Sequence, residues 1–114
     1  MKHQKAGRKF ARKTGPRKAL IKGLASSLIE YEAIVTTKAK AKETSPYVER
    51  LINIAKKADL PAIRRANADL NKKAALKIIK ISSRFKDRNG GYTRIISLGQ
   101  RKTDGAEMAK LELV

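Results

Sequence analysis

The segment RFKDRNGGYTRII, residues 84–96, is where the apolar pattern of this 114-residue chain changes from helical to extended. Before Phe85 the apolar residues recur at spacings of three and four, which is typical of helices that bury one face. From Tyr92 onward aromatic and β-branched residues are frequent, and residues 108–114 alternate between two faces, which indicates strands. The chain is therefore predicted to have an α+β fold, with its helices first and most of its sheet at the end.

The first helix is predicted to begin at Thr14 or Gly15, with Pro16 in its first turn, and to end near Tyr31. Its apolar positions fall on one face and are expected in the core: Leu20, Ile21, Leu24, Leu28 and Tyr31. The basic residues of this helix lie largely off that stripe: Arg17, Lys18 and Lys22. One side of the helix should therefore face the core, and the other can meet a polyanion.

Three more helices are predicted between residues 38 and 83. Thr37 can cap the first of them, and Pro46 should bend or split it near residue 45 because proline lacks an N–H donor. Asp59 and Asn71 stand where the other two should begin. The core positions expected on these helices are Val48, Leu51, Ile52, Ala55, Ile63, Ala66, Leu70, Ala75, Leu76 and Ile79.

Three strands are predicted, at residues 33–37, 92–98 and 108–114. Their expected arrangement is a small three-stranded mixed sheet with about four helices packed on it. The loop between the last two strands, residues 99–107, is polar and carries cations at its tip. The length fits one domain over residues 1–114, in which residues 1–14 form an extended basic arm and residues 15–114 a compact body.

The charge of the chain is strongly positive and unevenly distributed. Twenty-eight lysines and arginines oppose ten acidic residues, for a formal net charge of +18. Nine of these cations precede Glu30, the first acidic residue. Such a segment cannot collapse on itself and gains most by displacing the counterions of a polyanion, so a nucleic acid is the expected partner. The rest of the chain is also basic, which places the whole body in the same negative field.

The turn at residues 84–94 combines cations, a flexible backbone and an aromatic ring. Asn89 tolerates left-handed backbone geometry and two glycines follow it, so backbone N–H groups can face a phosphate beside the basic side chains. Tyr92 has two open alternatives: an unpaired base stacks on its ring, as is typical of RNA contacts, or the ring lies in the core at the entry of a hairpin. The segment at residues 38–43, in which lysines alternate with alanines, is interpreted as a solvated helical face, and contact with a phosphate backbone is the open alternative.

The candidate RNA-binding residues come from the arm, the first helix, the turn and the last loop. They are Lys2, His3, Lys5, Arg8, Lys9, Arg12, Lys13, Arg17, Lys18, Lys22, Arg84, Lys86, Arg88, Asn89, Tyr92, Arg94, Arg101 and Lys102.

Catalytic, cofactor and metal roles are not expected. His3 is the only histidine and cysteine is absent, so the chain offers no histidine cluster, thiolate site or nucleophile dyad. Glu30 and Glu32 form the only closely spaced acidic pair, which is thin support for two-metal chemistry. No apolar run is long enough for a membrane span or a signal peptide, so we expect a cytosolic protein.

Three blocks of the sequence resemble the bacterial large-subunit ribosomal protein seventeen family. They are residues 1–9, residues 24–43, and residues 85–95 together with the final Glu112, Leu113 and Val114. The stretch RNGGYTR, residues 88–94, is the most particular of these matches, and the resemblance spans essentially the full chain. Ser45 and Pro46 depart from it, since a smoother helix is expected there.

The resemblance implies a non-catalytic scaffolding and assembly role on the outer surface of the large ribosomal subunit, near the nascent-chain exit. It implies contacts with large-subunit rRNA and neighbouring ribosomal proteins, as a monomer within the cytoplasmic ribosome. Carried over to this chain, the RNA-facing positions are residues 2–13, the basic side of the first helix, and Arg84, Lys86, Arg88 and Arg94.

The net charge alone also permits an architectural protein that binds duplex DNA, such as a nucleoid protein. No helix-turn-helix spacing with polar recognition residues is apparent. A cationic membrane binder would need a long apolar face opposite a basic one, and only the first helix shows this pattern, briefly.

Overall fold

Four helices and a three-stranded sheet make up residues 14–114, the part of the chain that the computed structural model describes. The elements in chain order are α1 Thr14–Tyr31, β1 Ala33–Thr37, α2 Lys38–Ala55, α3 Leu60–Asp69, α4 Lys72–Ser82, a 3₁₀ turn Ser83–Phe85, β2 Thr93–Gln100 and β3 Glu107–Leu113. The predicted α+β class, the helix count and the strand count are confirmed for this part. The predicted arm lies outside the described residues, except that Thr14 already belongs to α1.

The helix starts follow local capping chemistry. The side chain of Thr37 accepts a hydrogen bond from the Lys40 N–H at 3.4 Å at the start of α2. Asp59 caps α3 in the same way, through the Ala62 N–H at 3.0 Å. A cap satisfies a backbone donor that the first turn cannot satisfy itself, so each residue determines where its helix begins.

Asn71 caps α4 and also connects it to α1. Its side chain accepts from the Ala74 N–H at 2.8 Å, while its own backbone N–H donates to the buried Ser26 Oγ at 3.0 Å. The α3–α4 junction is thereby held against the first helix.

Pro46 lies inside α2, and the helix continues through it from Lys38 to Ala55. The alternative in which Pro46 splits the helix is wrong. Proline removes the donor for the carbonyl of Lys42, but Lys42 and Pro46 are both exposed, so water can satisfy that carbonyl. The buried positions Val48, Leu51, Ile52 and Ala55 follow on the opposite side and hold the helix to the core, as predicted.

The sheet is antiparallel throughout, with strand order β1-β3-β2. The expected mixed sheet is therefore wrong. β1 and β2 run in the same direction and would have formed a parallel pair as neighbours, but the C-terminal strand β3 lies between them and runs opposite to both. The short β2–β3 connection permits only an antiparallel hairpin. β3 is the central strand, and it buries Ala109, Leu111 and Leu113 as its alternation predicts.

The core lies between the helices and the inner face of this sheet. Leu28, Ile29, Ile52, Ile78 and Leu111 are among its fully buried residues. Ala75, Ala66 and Leu70 are buried as expected.

Three predicted core residues are wrong, because they are exposed. Leu76 is 71% exposed, since α4 buries Ala74, Ala75, Ile78 and Ile81 and so presents a face one position away from the predicted one. Tyr31 is 72% exposed at the end of α1, where Glu32 turns the chain with a φ of 64°. Ile63 is 42% exposed on α3.

Truncation of two leucines should distinguish a buried core residue, Leu28, from a residue that was wrongly predicted to be buried, Leu76. Leu28→Ala should lower the free energy of unfolding by about 2–5 kcal/mol because it opens a cavity in the core. Leu76→Ala should change it by about 0.5 kcal/mol or less, since the side chain is exposed and alanine favours a helix. Urea denaturation followed by circular dichroism measures both. A large loss in Leu76→Ala would contradict the placement of α4.

Candidate nucleic-acid interface

The turn between the 3₁₀ segment and β2 is held in place through its backbone carbonyl groups, which contact nearby side chains. The Arg88 carbonyl accepts a hydrogen bond from Lys56 Nζ at 2.5 Å and lies 2.9 Å from the Tyr92 hydroxyl oxygen. Gly91 has a φ of +66°, which a side chain would strain, and its carbonyl accepts from Arg88 Nη1 at 3.2 Å. The turn is thus a fixed support from which residues 86–89 project into solvent.

Tyr92 is fully buried, so the alternative in which a base stacks on its ring is wrong. The ring packs against Phe85 with a centroid distance of 5.0 Å. Its hydroxyl donates to Asn53 Oδ1 and accepts from Lys56 Nζ at 3.0 Å. Both neighbours lie at the C-terminal part of α2, so Tyr92 fastens the turn to that helix and has no face left for RNA.

Three of the candidate arginines are paired with carboxylates of this chain. Arg84 Nη2 lies 2.9 Å from Glu32, Arg94 donates to Glu112 Oε2 at 2.8 and 2.6 Å, and Arg101 donates to Asp104 at 3.0 and 2.8 Å. The side chains are 44–57% exposed, and a guanidinium has five N–H donors, so each keeps donors toward solvent. These arginines can bind a phosphate only while sharing or exchanging their present partners.

The ion pairs change the acidity of the carboxylates. The hydrogen bond from Arg94, opposed by burial and supported more weakly by the hydrogen bond from Lys110, lowers the pKa of Glu112 below its usual value. The hydrogen bond from Arg101 lowers the pKa of Asp104 to about 2. Burial raises the pKa of Glu32, but Arg84 and Lys77 together reverse this and leave it lowered. All three carboxylates are therefore ionised at neutral pH.

Three other candidates are open to a ligand. Lys86, Asn89 and Lys102 are exposed, and their side chains form no ion pair or hydrogen bond with any other residue between 14 and 114. Together with Asp87 and Arg88, Lys86 and Asn89 form the exposed part of the turn, and the Arg88 side chain bonds only the Gly91 carbonyl among residues 14–114.

The basic side of α1 borders a groove between α1, α2 and α3. Arg17, Lys18 and Lys22 line it from α1, and two further cations, Arg50 and Arg65, line it from α2 and α3. The groove has a volume of about 440 Å³. Lys22 Nζ lies 3.8 Å from Asp69, which also pairs with Arg65.

Helix α2 brings the groove and the turn together. Arg50 lines the groove, and Asn53, three residues later on the same side of the helix, bonds Tyr92 beneath the turn. The two α2 residues that border these regions, Arg50 and Asn53, are therefore about one helical turn, roughly 5 Å, apart along the helix.

The β2–β3 loop is not part of that region. It lies near the start of α2, where Lys38 and Lys42 face Ala106 and Glu107 across a second groove. The run at residues 38–42, expected to be a solvated face, is only partly so, because Ala41 is fully buried.

Sequence analysis did not single out Arg50, Lys56 or Arg65. Arg50 could have been found, because it follows Tyr47 by three residues on a predicted helix and its guanidinium lies 5.9 Å from the centre of that ring. Arg65 could not, because nothing local indicates that α3 packs beside α1.

The candidates in the arm lie outside the described residues. They are Lys2, His3, Lys5, Arg8, Lys9, Arg12 and Lys13. Their role in RNA binding stays a prediction.

Between residues 14 and 114 there is no group of three or more metal-ligating side chains. Of the acidic pair considered for two-metal chemistry, Glu30 belongs to α1 and Glu32 binds Arg84 and Lys77. None of the helices in this part is long and apolar enough to cross a membrane.

Comparison with known proteins gives one consistent result. The family described as Ribosomal protein L17 matches residues 20–114. Large ribosomal subunit protein bL17 of Hyphomonas neptunium is 48% identical, over all of this chain and 83% of that protein. The protein of the same name from Erythrobacter litoralis is 46% identical, over all of this chain and 83% of that protein. The one from Gemmatimonas aurantiaca is 49% identical, over all of this chain and 98% of that protein.

Removal of one arginine should raise the pKa of its own partner only. Arg94→Met should raise the pKa of Glu112 toward the ordinary value of about 4.3 and leave the pKa of Asp104 at about 2. Arg101→Met should raise the pKa of Asp104 and leave the pKa of Glu112 lowered. Carboxyl-detected NMR titration measures both groups.

The same pairs predict a direction for stability. The pKa of Glu112 is lower in the folded than in the unfolded protein, so its ionised form stabilises the fold. This stabilisation is fully present above the unfolded-state pKa of about 4.3 and is lost as the pH falls through the folded-state pKa. Arg94→Met should therefore flatten the loss of stability on acidification. An unchanged Glu112 titration in that variant would show that the pair is not formed in solution.

Proposed function

The chain belongs to the ribosomal protein L17 family, and we propose that it is a structural component of the large ribosomal subunit that binds large-subunit rRNA in the cytoplasm. The observation that carries the proposal is the family match over residues 20–114, together with relatives named as large-subunit proteins that align over the whole chain. The formal charge of +18 supports the RNA partner, because a polyanion is what such a surface can bind.

Binding is electrostatic docking followed by local fitting. Lysines and arginines displace condensed counterions from the phosphates, which supplies affinity without reading sequence. The turn then fits a local RNA shape with Lys86, Arg88 and Asn89, which are exposed on a rigid support. The cations of residues 2–13 add further contacts with the phosphates. If about eight phosphates are engaged, the affinity should fall with a salt slope of roughly six or seven.

The paired arginines contribute through exchange of partners. Arg84 and Arg94 are half-exposed and each keeps free N–H donors while bound to Glu32 and Glu112. A phosphate arriving beside them shares the guanidinium with the carboxylate, so these positions orient RNA more than they add net charge.

Scaffolding near the nascent-chain exit and contact with neighbouring ribosomal proteins form the finer part of the proposal, and the family resemblance suggests both. The outer face of the sheet supports a protein neighbour. Val35 and Ile96 are each paired in register with Lys110 and therefore lie on one face, and they are 62% and 39% exposed. Exposed apolar side chains grouped in this way are typical of protein contacts.

Sedimentation tests the function directly. Cell lysate is run on a sucrose gradient after a high-salt wash, with RNase-treated and DNase-treated controls. We expect the protein to remain with large subunits and to be released only by RNase. Release by salt alone, or cosedimentation that DNase abolishes, would overturn the proposal and favour an architectural DNA-binding protein.

Paired substitutions test the turn. Lys86→Ala with Arg88→Ala should reduce the salt slope of binding to large-subunit rRNA by about 0.7–0.9 per lost contact, and should weaken binding more than Lys38→Ala with Lys40→Ala. Both pairs remove two charges, and neither breaks an ion pair seen within residues 14–114. Filter binding across salt concentrations gives both slopes. Equal losses would mean that the turn is only part of a diffuse charge field.

A further inference from the structure

The groove between α1, α2 and α3 brings together cations that are far apart in the sequence, over the 49 positions from Arg17 to Arg65. Five cations line it against two carboxylates. Asp69 pairs with Arg65 and lies 3.8 Å from Lys22 Nζ, so two of the cations are compensated. Arg17, Lys18 and Arg50 have no carboxylate partner among residues 14–114.

Tyr47 lines this groove and carries a buried polar atom. Its hydroxyl oxygen is buried and forms no hydrogen bond with any group in residues 14–114. A buried hydroxyl without a partner is costly and needs an explanation, such as a ligand that it binds. Burial raises the pKa of Tyr47, and Asp69 raises it further against the opposing effect of Arg65 and Arg50, so the hydroxyl is protonated at neutral pH and can donate.

The groove therefore offers guanidinium and ammonium N–H donors and one phenolic O–H, in excess of the acceptors of its two carboxylates, Glu43 and Asp69. A phosphodiester is the matching ligand, since its oxygens only accept and its charge is negative. The volume of about 440 Å³ exceeds the roughly 30 Å³ of a liquid water more than tenfold, which leaves room for a phosphate and its neighbouring sugar.

We propose that this groove binds a backbone phosphate of RNA, with the Tyr47 hydroxyl donating to a non-bridging oxygen and Arg17 and Arg50 neutralising the charge. Because the hydroxyl oxygen is buried in the free protein, part of the groove wall has to move for the phosphate to reach it. The inference rests on the proposed function, because it assigns one specific contact to the rRNA partner. It also extends the interface, since Arg50 continues it along α2 from the turn.

The first test removes a single oxygen atom. Tyr47→Phe should weaken binding to large-subunit rRNA about fivefold, the effect of one hydrogen bond of ordinary strength. Its melting temperature should not fall, because the hydroxyl has no partner in the described part of the free protein. Tyr31→Phe is the matched control, since Tyr31 is 72% exposed and lies outside the groove, and it should bind as the wild type does.

The second test removes a single charge. Arg50→Gln should reduce the salt slope of RNA binding by about 0.7–0.9. Arg64→Gln is its control, because Arg64 is exposed on α3, outside the groove, and forms no ion pair within residues 14–114. The slope of the control should remain that of the wild type.

The outcomes distinguish the two proposals. If the wild-type protein does not bind large-subunit rRNA, the proposed function fails. If it binds, but Tyr47→Phe equals Tyr31→Phe and Arg50→Gln equals Arg64→Gln, the function stands and the groove assignment is overturned. The wild type is also titrated with inorganic phosphate alone. Binding of the free ion as tight as that of RNA would assign the groove to a small anion and would likewise overturn the RNA contact.

Discussion

The buried hydroxyl and ring of Tyr92 connect the end of the helical region, helix α2, the turn and the end of the sheet. The ring packs on Phe85, and the hydroxyl donates to Asn53 on α2, accepts from Lys56 at the end of that helix, and lies 2.9 Å from the carbonyl of Arg88 in the turn. The backbone carbonyl of the same residue accepts from the N–H of Val114, which follows the central strand. A buried aromatic with satisfied polar contacts fixes one geometry, because any displacement would leave several hydrogen bonds unmade. The helices, the turn and the sheet therefore keep one relative position.

The small number of acidic residues also constrains the folded structure. Ten acidic residues serve 28 basic ones, and several of the acids act inside the structure. Glu49 accepts from the backbone N–H and the hydroxyl of Thr93, while Glu32 and Asp69 each hold two cations between elements. The remaining cations repel one another across a small body, and neutralisation by phosphates relieves that repulsion. Folding and RNA binding thus favour each other, since the same charges oppose one and drive the other.

Helix α2 organises the proposed interface. Its buried side packs into the core, its exposed side carries Arg50 at the groove, and Asn53 and Lys56 hold the turn. Because a helix is stiff, the α2 residues that border the groove and the turn keep a constant spacing. A phosphate backbone has regular spacing as well, so a rigid support can engage successive phosphates at little further cost in conformational entropy. Flexible side chains complete the fit locally.

Much of the local architecture was readable in the amino-acid sequence. Thr37, Asp59 and Asn71 mark helix starts through their caps, residues 33–37 form the predicted strand, and alternation along β3 identified its buried face. These signals act within a few residues, so they need no knowledge of the fold. Strand order, the burial of Tyr92 and the meeting of Arg17, Arg50 and Arg65 were decided only by the tertiary structure. Each depends on which distant elements share the limited space of one core, and an aromatic ring or an arginine looks the same in sequence whether it packs inside or faces a ligand.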